Sequence, residues 1–169
     1  MSPELLKIYR EGRFDERGFS KVQFVKLFTH ARRTVFVANE MICQEGKEMN
    51  KLYYILDGEA TVKCIKDGRT LATMFPQSFI GELSYLLFVQ GKRQQQSNKV
   101  KASANVIAND GPVHVMVWDF EKLSDLMIDD RDLSNAFAVY SSHDLRNKLL
   151  NRNAAGYNKQ DEMTNNMKT

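Results

Sequence analysis

The chain has 169 residues, 43% of them hydrophobic and 27% charged, which suits one soluble globular domain with room for a helical extension. A net charge of +3, evenly spread, gives no argument for nucleic acid. No stretch approaches the ~18 apolar residues of a membrane span, and the N-terminus has no signal-peptide core. Cys43 and Cys64 lie far apart, outside any CxxC or metal spacing. They read as reduced, buried thiols of a cytoplasmic domain, and a parent anchored in the plasma membrane stays open as an alternative.

Residues 1–31 predict a helical lead-in. Ser2-Pro3-Glu4 is an N-cap with Pro at the first helical position, and Leu5, Leu6, Ile8 and Tyr9 form the apolar face. Ser20 caps a second short helix carrying Val22, Phe24, Val25, Leu27 and Phe28. From Arg32 the pattern changes to strand alternation: Arg33–Val37, Met41–Cys43, Lys51–Leu56, Glu59–Ile65 and Thr70–Met74. Asp57-Gly58 and Asp67-Gly68 are both hairpin signals, so these strands predict an antiparallel meander.

Phe75 to Leu87 reads as a strand end, a turn and a short helix opening at Gly81. A glycine there lets a ligand approach the backbone, and the amides behind it can face an anion. Glu82 adds one carboxylate, so the stretch suits a ligand with both a hydroxyl and a phosphate; its bland reading is an ordinary turn with an exposed Glu. Gly91 to Lys99 is polar and basic and predicts an exposed, mobile loop. Val100–Ala108 and Val113–Trp118 are further strands, for roughly seven or eight in all. Asp119 can cap a helix through Phe120 and Leu123, and Asp129-Asp130 starts a last helix along Leu133, Phe137, Tyr140, Leu145 and Leu149.

The expected architecture is mainly β with flanking helices: an antiparallel β-barrel or jelly roll (a double-stranded β-helix) over 32–118. Closing and dimerisation helices follow over 119–152, then a polar, disordered tail over 153–169. His30, His114 and His143 are isolated, and Asp129, Asp130 and Asp132 fit a helix first turn better than a metal site. Trp118, Phe120 and Phe137 fit core packing better than a lid on a base. No constellation supports covalent or acid–base chemistry, so no enzyme, metal or cofactor is expected.

These residues in this layout resemble the cyclic nucleotide-binding domain superfamily. Glu45-Gly46 and Leu52 to Val62 look like its early strands, and Phe79-Ile80-Gly81-Glu82-Leu83 looks like the opening of its phosphate-binding cassette. Phe75-Pro76, Ala102 to Ala108, Trp118 and His143 to Leu149 add a narrower resemblance to the Popeye-domain family, membrane proteins with a divergent cyclic AMP-binding barrel.

The resemblance implies a site at Phe79, Ile80, Gly81, Glu82, Leu83 and Ser84 with Lys101, Ala102, Ser103, Ala104 and Asn105. Glu82 would hold the ribose 2′-hydroxyl, and the backbone at Gly81, Leu83 and Ser84 would receive the cyclic phosphate. The usual cassette Arg falls on Ala102, as it is also missing from Popeye-like domains. Lys101, the loop cations Lys92, Arg93 and Lys99, or helix amides with water are the open candidates for the phosphate partner.

The implied function is a cyclic nucleotide sensor, for cyclic AMP or else cyclic GMP, that moves its C-terminal helices. A homodimer through those helices and a membrane-protein or channel partner are implied, with no nucleic acid. Its rival is a degenerate barrel that binds no nucleotide and serves as an interaction or dimerisation scaffold. A bacterial-type transcription factor is disfavoured because no helix-turn-helix follows residue 150.

Overall fold

Two serines start the helical lead-in by taking orphan backbone donors. In the computed structural model, Ser2 Oγ accepts from Leu5 N–H at 3.2 Å and starts α1 (Pro3–Glu11). Ser20 and Gln23 cap each other reciprocally at the start of α2 (Lys21–Thr29). Residues 1–95 and 99–166 are described, apart from the side chains of Leu149 and residues 151–166.

The strands form two four-stranded antiparallel sheets. One holds β1 (Arg32–Phe36), β8 (Val113–Asp119), β3 (Lys51–Asp57) and β6 (Phe79–Ile80), in that order. The other holds β2 (Met41–Cys43), β7 (Asn105–Ala108), β4 (Ala60–Lys63) and β5 (Thr70–Met74). This is the expected jelly-roll class with flanking helices, with two open sheets in place of a closed barrel. In β3, Leu52, Tyr53, Tyr54 and Ile55 are all buried, so the strand is covered on both faces.

The meander expected from the two Asp-Gly turns is half corrected. Asp67-Gly68 does join paired strands, β4 and β5. Asp57-Gly58 instead carries the chain from one sheet to the other, since β3 pairs with β8 and β6. Gly58 has φ +85°, and a Cβ there would lie 2.4 Å from the Pro112 carbonyl oxygen. The dipeptide specifies a tight turn with positive φ; which strand receives the chain is decided by long-range pairing.

The remaining helices are α3 (Glu82–Arg93), α4 (Phe120–Asp129) and α5 (Arg131–Asn166). Helix α3 absorbs Gly91, Lys92 and Arg93, which were expected in a loop; Gln96, Ser97 and Asn98 of that loop lie outside the described residues. The backbone of α5 carries on through 151–166, part of the stretch for which composition predicts a disordered tail. Asp119 stands at the start of α4 without capping it, because its carboxylate takes Arg32 at 3.3 Å. Asp130 does cap α5: one carboxylate oxygen accepts from Leu133 N–H at 2.9 Å, and the other takes Lys26 at 2.7 Å.

The lead-in packs on β3 and α5 through aromatic rings. Phe14 is fully buried and stacks on Tyr140 with centroids 4.3 Å apart. It also meets Phe24, Phe28 and Tyr54. The Tyr140 hydroxyl donates to the Gly12 carbonyl at 2.9 Å, so the ring is fixed at its polar end too. Trp118 donates its indole N–H to the Leu27 carbonyl at 2.9 Å, and Phe120 and Phe137 are likewise buried core residues. Cys43 is buried, whereas Cys64 is half-buried, contrary to the pairing of both as core thiols.

Phe14→Ala empties the centre of this cluster. It is expected to lower unfolding stability by about 3–5 kcal/mol, read by chemical denaturation. Lys26 and the Leu133 amide hold the Asp130 carboxyl below its ordinary value of 3.8. That contribution is present above the unfolded value and is lost as pH falls through the lower folded one. Urea unfolding across the acid range should therefore show a shallower acid loss for Asp130→Asn than for the native chain.

Candidate functional site

Strand β6 is two residues long and pairs Phe79 with Tyr54 and Ile80 with Tyr53 of β3. The chain then turns at Gly81, with φ 94° and ψ 10°, and enters α3. A Cβ at Gly81 would lie 2.2 Å from Met49 Cε and 3.1 Å from the Lys51 carbonyl oxygen. Glycine is thus required twice, by conformation and by space. Gly81 provides no side-chain cap, so the first-turn amides of α3 at Glu82, Leu83 and Ser84 have no cap from it. Glu82 and Ser84 are buried, and Leu83 is half exposed.

The second half of the expected site is zipped to the turn after β2. The Ala102 N–H donates to the Lys47 carbonyl, and the Ala102 carbonyl accepts from Gly46 N–H, both at 2.9 Å. Met49 N–H donates to the Val100 carbonyl at 2.8 Å. The Asn105 side chain accepts from Glu45 N–H at 2.8 Å. Ala102 is buried while Lys101 and Ser103 are exposed, as strand alternation predicts; Ala104 is half-buried.

Met49 is where the two halves meet. It lies on Gly81 and, with Ala102, lines a cavity of about 90 Å³ that Cys43, Lys51 and Tyr53 also reach. Ligand pockets usually measure about 300–1,000 Å³, so this cavity is small for a ligand. Burial pushes the Cys43 thiol up to about 12, leaving it neutral and unreactive in the wall.

Glu82 is turned away from this cavity toward α5. Its carboxylate lies 2.5 Å from Lys148 Nζ, and the same ammonium binds Asp144 at 2.7 Å and the Phe79 carbonyl. Asp144 also accepts from Phe79 N–H at 3.1 Å. Because β6 is a sheet edge, Phe79 has both backbone groups free of β3, and the i,i+4 pair on α5 takes them as a neighbouring strand would. Neither Met49 nor Lys148 was expected in the site. The Asp144–Lys148 spacing was a readable helix pair, but which carboxylate lay above it was not.

The other expected cations go elsewhere. Lys92 meets Glu121 at 2.9 Å and Asp125 at 3.0 Å on α4. Arg93 lines a broad groove of about 950 Å³ between α3, α4 and α5. Lys99 and Lys101 are exposed. Among the described residues no group of His, Cys, Asp or Glu could hold a metal ion, and no helix is long and apolar enough to cross a membrane.

Gly81→Ala should cost at least about 1–2 kcal/mol from its left-handed backbone alone. Pairing it with Met49→Ala should return only the steric part, so the double-mutant cycle in urea unfolding reads a positive coupling with a residual loss.

Solved structures share this arrangement at low sequence identity. A cyclic nucleotide-binding domain from Methylobacillus flagellatus KT superposes with a TM-score of 0.65 at 21% identity, covering 89% of this chain and 82% of that one. The Thermus thermophilus catabolite activator protein gives 0.60 at 18% identity, covering 83% and 62%. These likenesses bear on the fold. In sequence, human cyclic nucleotide-gated channel beta-1 is 25% identical over 113 residues, 66% of this chain. The chain spans only 8% of that channel's length, and the same holds for the Bos taurus protein. The family model for the cyclic nucleotide-binding domain matches residues 33–130, more than half of the sequence, and the chain belongs to that family.

Proposed function

We propose that this chain is a regulatory, non-catalytic module that binds a cyclic nucleotide, cyclic AMP before cyclic GMP, and reports occupancy through α5. One observation carries the reading. Gly81 opens α3 at a left-handed turn against Met49, and Met49 lines a cavity with Ala102, so one side chain touches both halves of the family's cassette. In the reading, Met49 swings aside, the cyclic phosphate takes the α3 amides, and Glu82 leaves Lys148 and turns back to take the ribose hydroxyl. Met is suited to this, being unbranched and easily repacked.

Coupling to the helices follows from Lys148. Its ammonium has three donors, and the Phe79 carbonyl, Glu82 and Asp144 use them. A ribose hydroxyl on Glu82 competes with Lys148, so binding loosens the hold of α5 on β6. The exposed Val139 and Leu150 of α5 suit a homodimer contact. The missing cassette Arg at Ala102 favours a Popeye-like place within the family, with a membrane or channel protein as parent or partner and a cytoplasmic position.

The second reading is a scaffold that binds no nucleotide. It is favoured by Met49 seated on the cassette glycine and by a cavity of about 90 Å³.

Calorimetric titration with cyclic AMP and cyclic GMP decides between them: heat at micromolar cyclic AMP is expected, and none at millimolar ligand gives the scaffold. Glu82→Gln should weaken binding by about 1.5–3 kcal/mol, the usual worth of a hydrogen bond to a charged group.

A further inference from the structure

The cassette has no arginine, yet a cyclic phosphate buried without a cation would be costly. Lys51 is the basic residue among those lining the cavity that Met49 and Ala102 share. It opens β3, and side chains alternate along a strand, so Lys51 shares a face with Tyr53 two residues on, which lines the same cavity. Tyr54 takes the opposite face, among Phe14, Phe28, Phe79 and Tyr140. The Lys51 backbone is also at the cassette, its carbonyl oxygen 3.1 Å from where a Gly81 Cβ would be.

Among the described residues Lys51 forms no ion pair. The cross-strand neighbour of Lys51 is Asp119, the natural partner on an antiparallel ladder. Asp119 is instead engaged by Arg32 on β1 at 3.3 Å. Glu48 also lines the cavity, but it is exposed and forms no ion pair with Lys51. Lys51 is half-buried, and an ammonium bonded to an anionic oxygen makes the stronger, charge-assisted kind of hydrogen bond. The other basic residues offered for this role are committed to α4, sit in a different groove or lie on the outer surface.

We propose that Lys51 supplies the positive charge for the ligand's cyclic phosphate, from the start of β3, in place of the arginine missing at Ala102. The proposal rests on the cyclic nucleotide reading and names the residue that makes the divergent cassette workable. A lysine there offers a point charge on a flexible stem, where an arginine would offer a planar fork, so phosphate is held through charge more than through fixed geometry. Binding should accordingly weaken with added salt.

The test is calorimetric titration of cyclic AMP into the native chain, Lys51→Met and Lys51→Arg, with thermal melts showing each variant folded. Lys51→Met should bind about tenfold or more weakly and lose most of the salt dependence, while Lys51→Arg stays within about threefold of native. Native affinity in Lys51→Met, or equal losses in Met and Arg, overturns the role of Lys51 and leaves the cyclic nucleotide reading standing. Absence of binding by the native chain at millimolar ligand overturns that reading and this proposal with it. If Lys51→Met does not fold, the Arg variant and the native salt dependence decide: salt-insensitive native binding, or a loss of tenfold in Arg, overturns the proposal.

Discussion

Phe79 is the residue on which the layers of this protein converge. Its ring is fully buried against Tyr54 of β3, Trp118 of β8, and Phe137 and Tyr140 of α5. Its peptide groups face the open edge of the sheet, where Asp144 and Lys148 satisfy them. A buried backbone group left without a partner costs about 1–3 kcal/mol, so two such groups in a two-residue strand could undo the strand. The C-terminal helix is therefore part of the sheet's hydrogen bonding. That places Gly81, two residues further on, at the junction of sheet and helix.

The same convergence explains the charge arrangement. Two buried carboxylates, Glu82 and Asp144, share one ammonium. Removing the cation would strand two acids away from water, whereas exchanging one acid's partner for a hydroxyl keeps every group bonded. Met49 imposes a similar condition on the other side of Gly81, through volume in place of charge.

Much of this was legible in the chain because it is local. Ser2, Ser20 and Asp130 declare helix starts, alternation declares most strands, and Gly81-Glu82 reads as a turn that only the family resemblance makes a cassette. What was not legible depends on distant partners. Asp57-Gly58 announces a turn, but the ladder of β3 with β8 decides that the turn crosses between sheets. Asp119 looks like a cap until Arg32 from another strand takes its carboxylate. Met49 lies in a polar run between strands, and only the close approach of β6 makes it a buried plug. Lys51 reads as one more surface lysine until its face of β3 is known to point at the cavity.

Helix α3 has one further property. Its twelve residues span about 18 Å, and its ends are held by different neighbours: Glu82 by α5 and Lys92 by α4. It is a crossbar bolted at both ends between two helices that are consecutive in the chain. A crossbar cannot shift at one bolt without loading the other. A displacement of the first turn of α3 would load its contacts with both helices, and the joint between α4 and α5 at Asp130 is the elbow where the two would have to be reconciled.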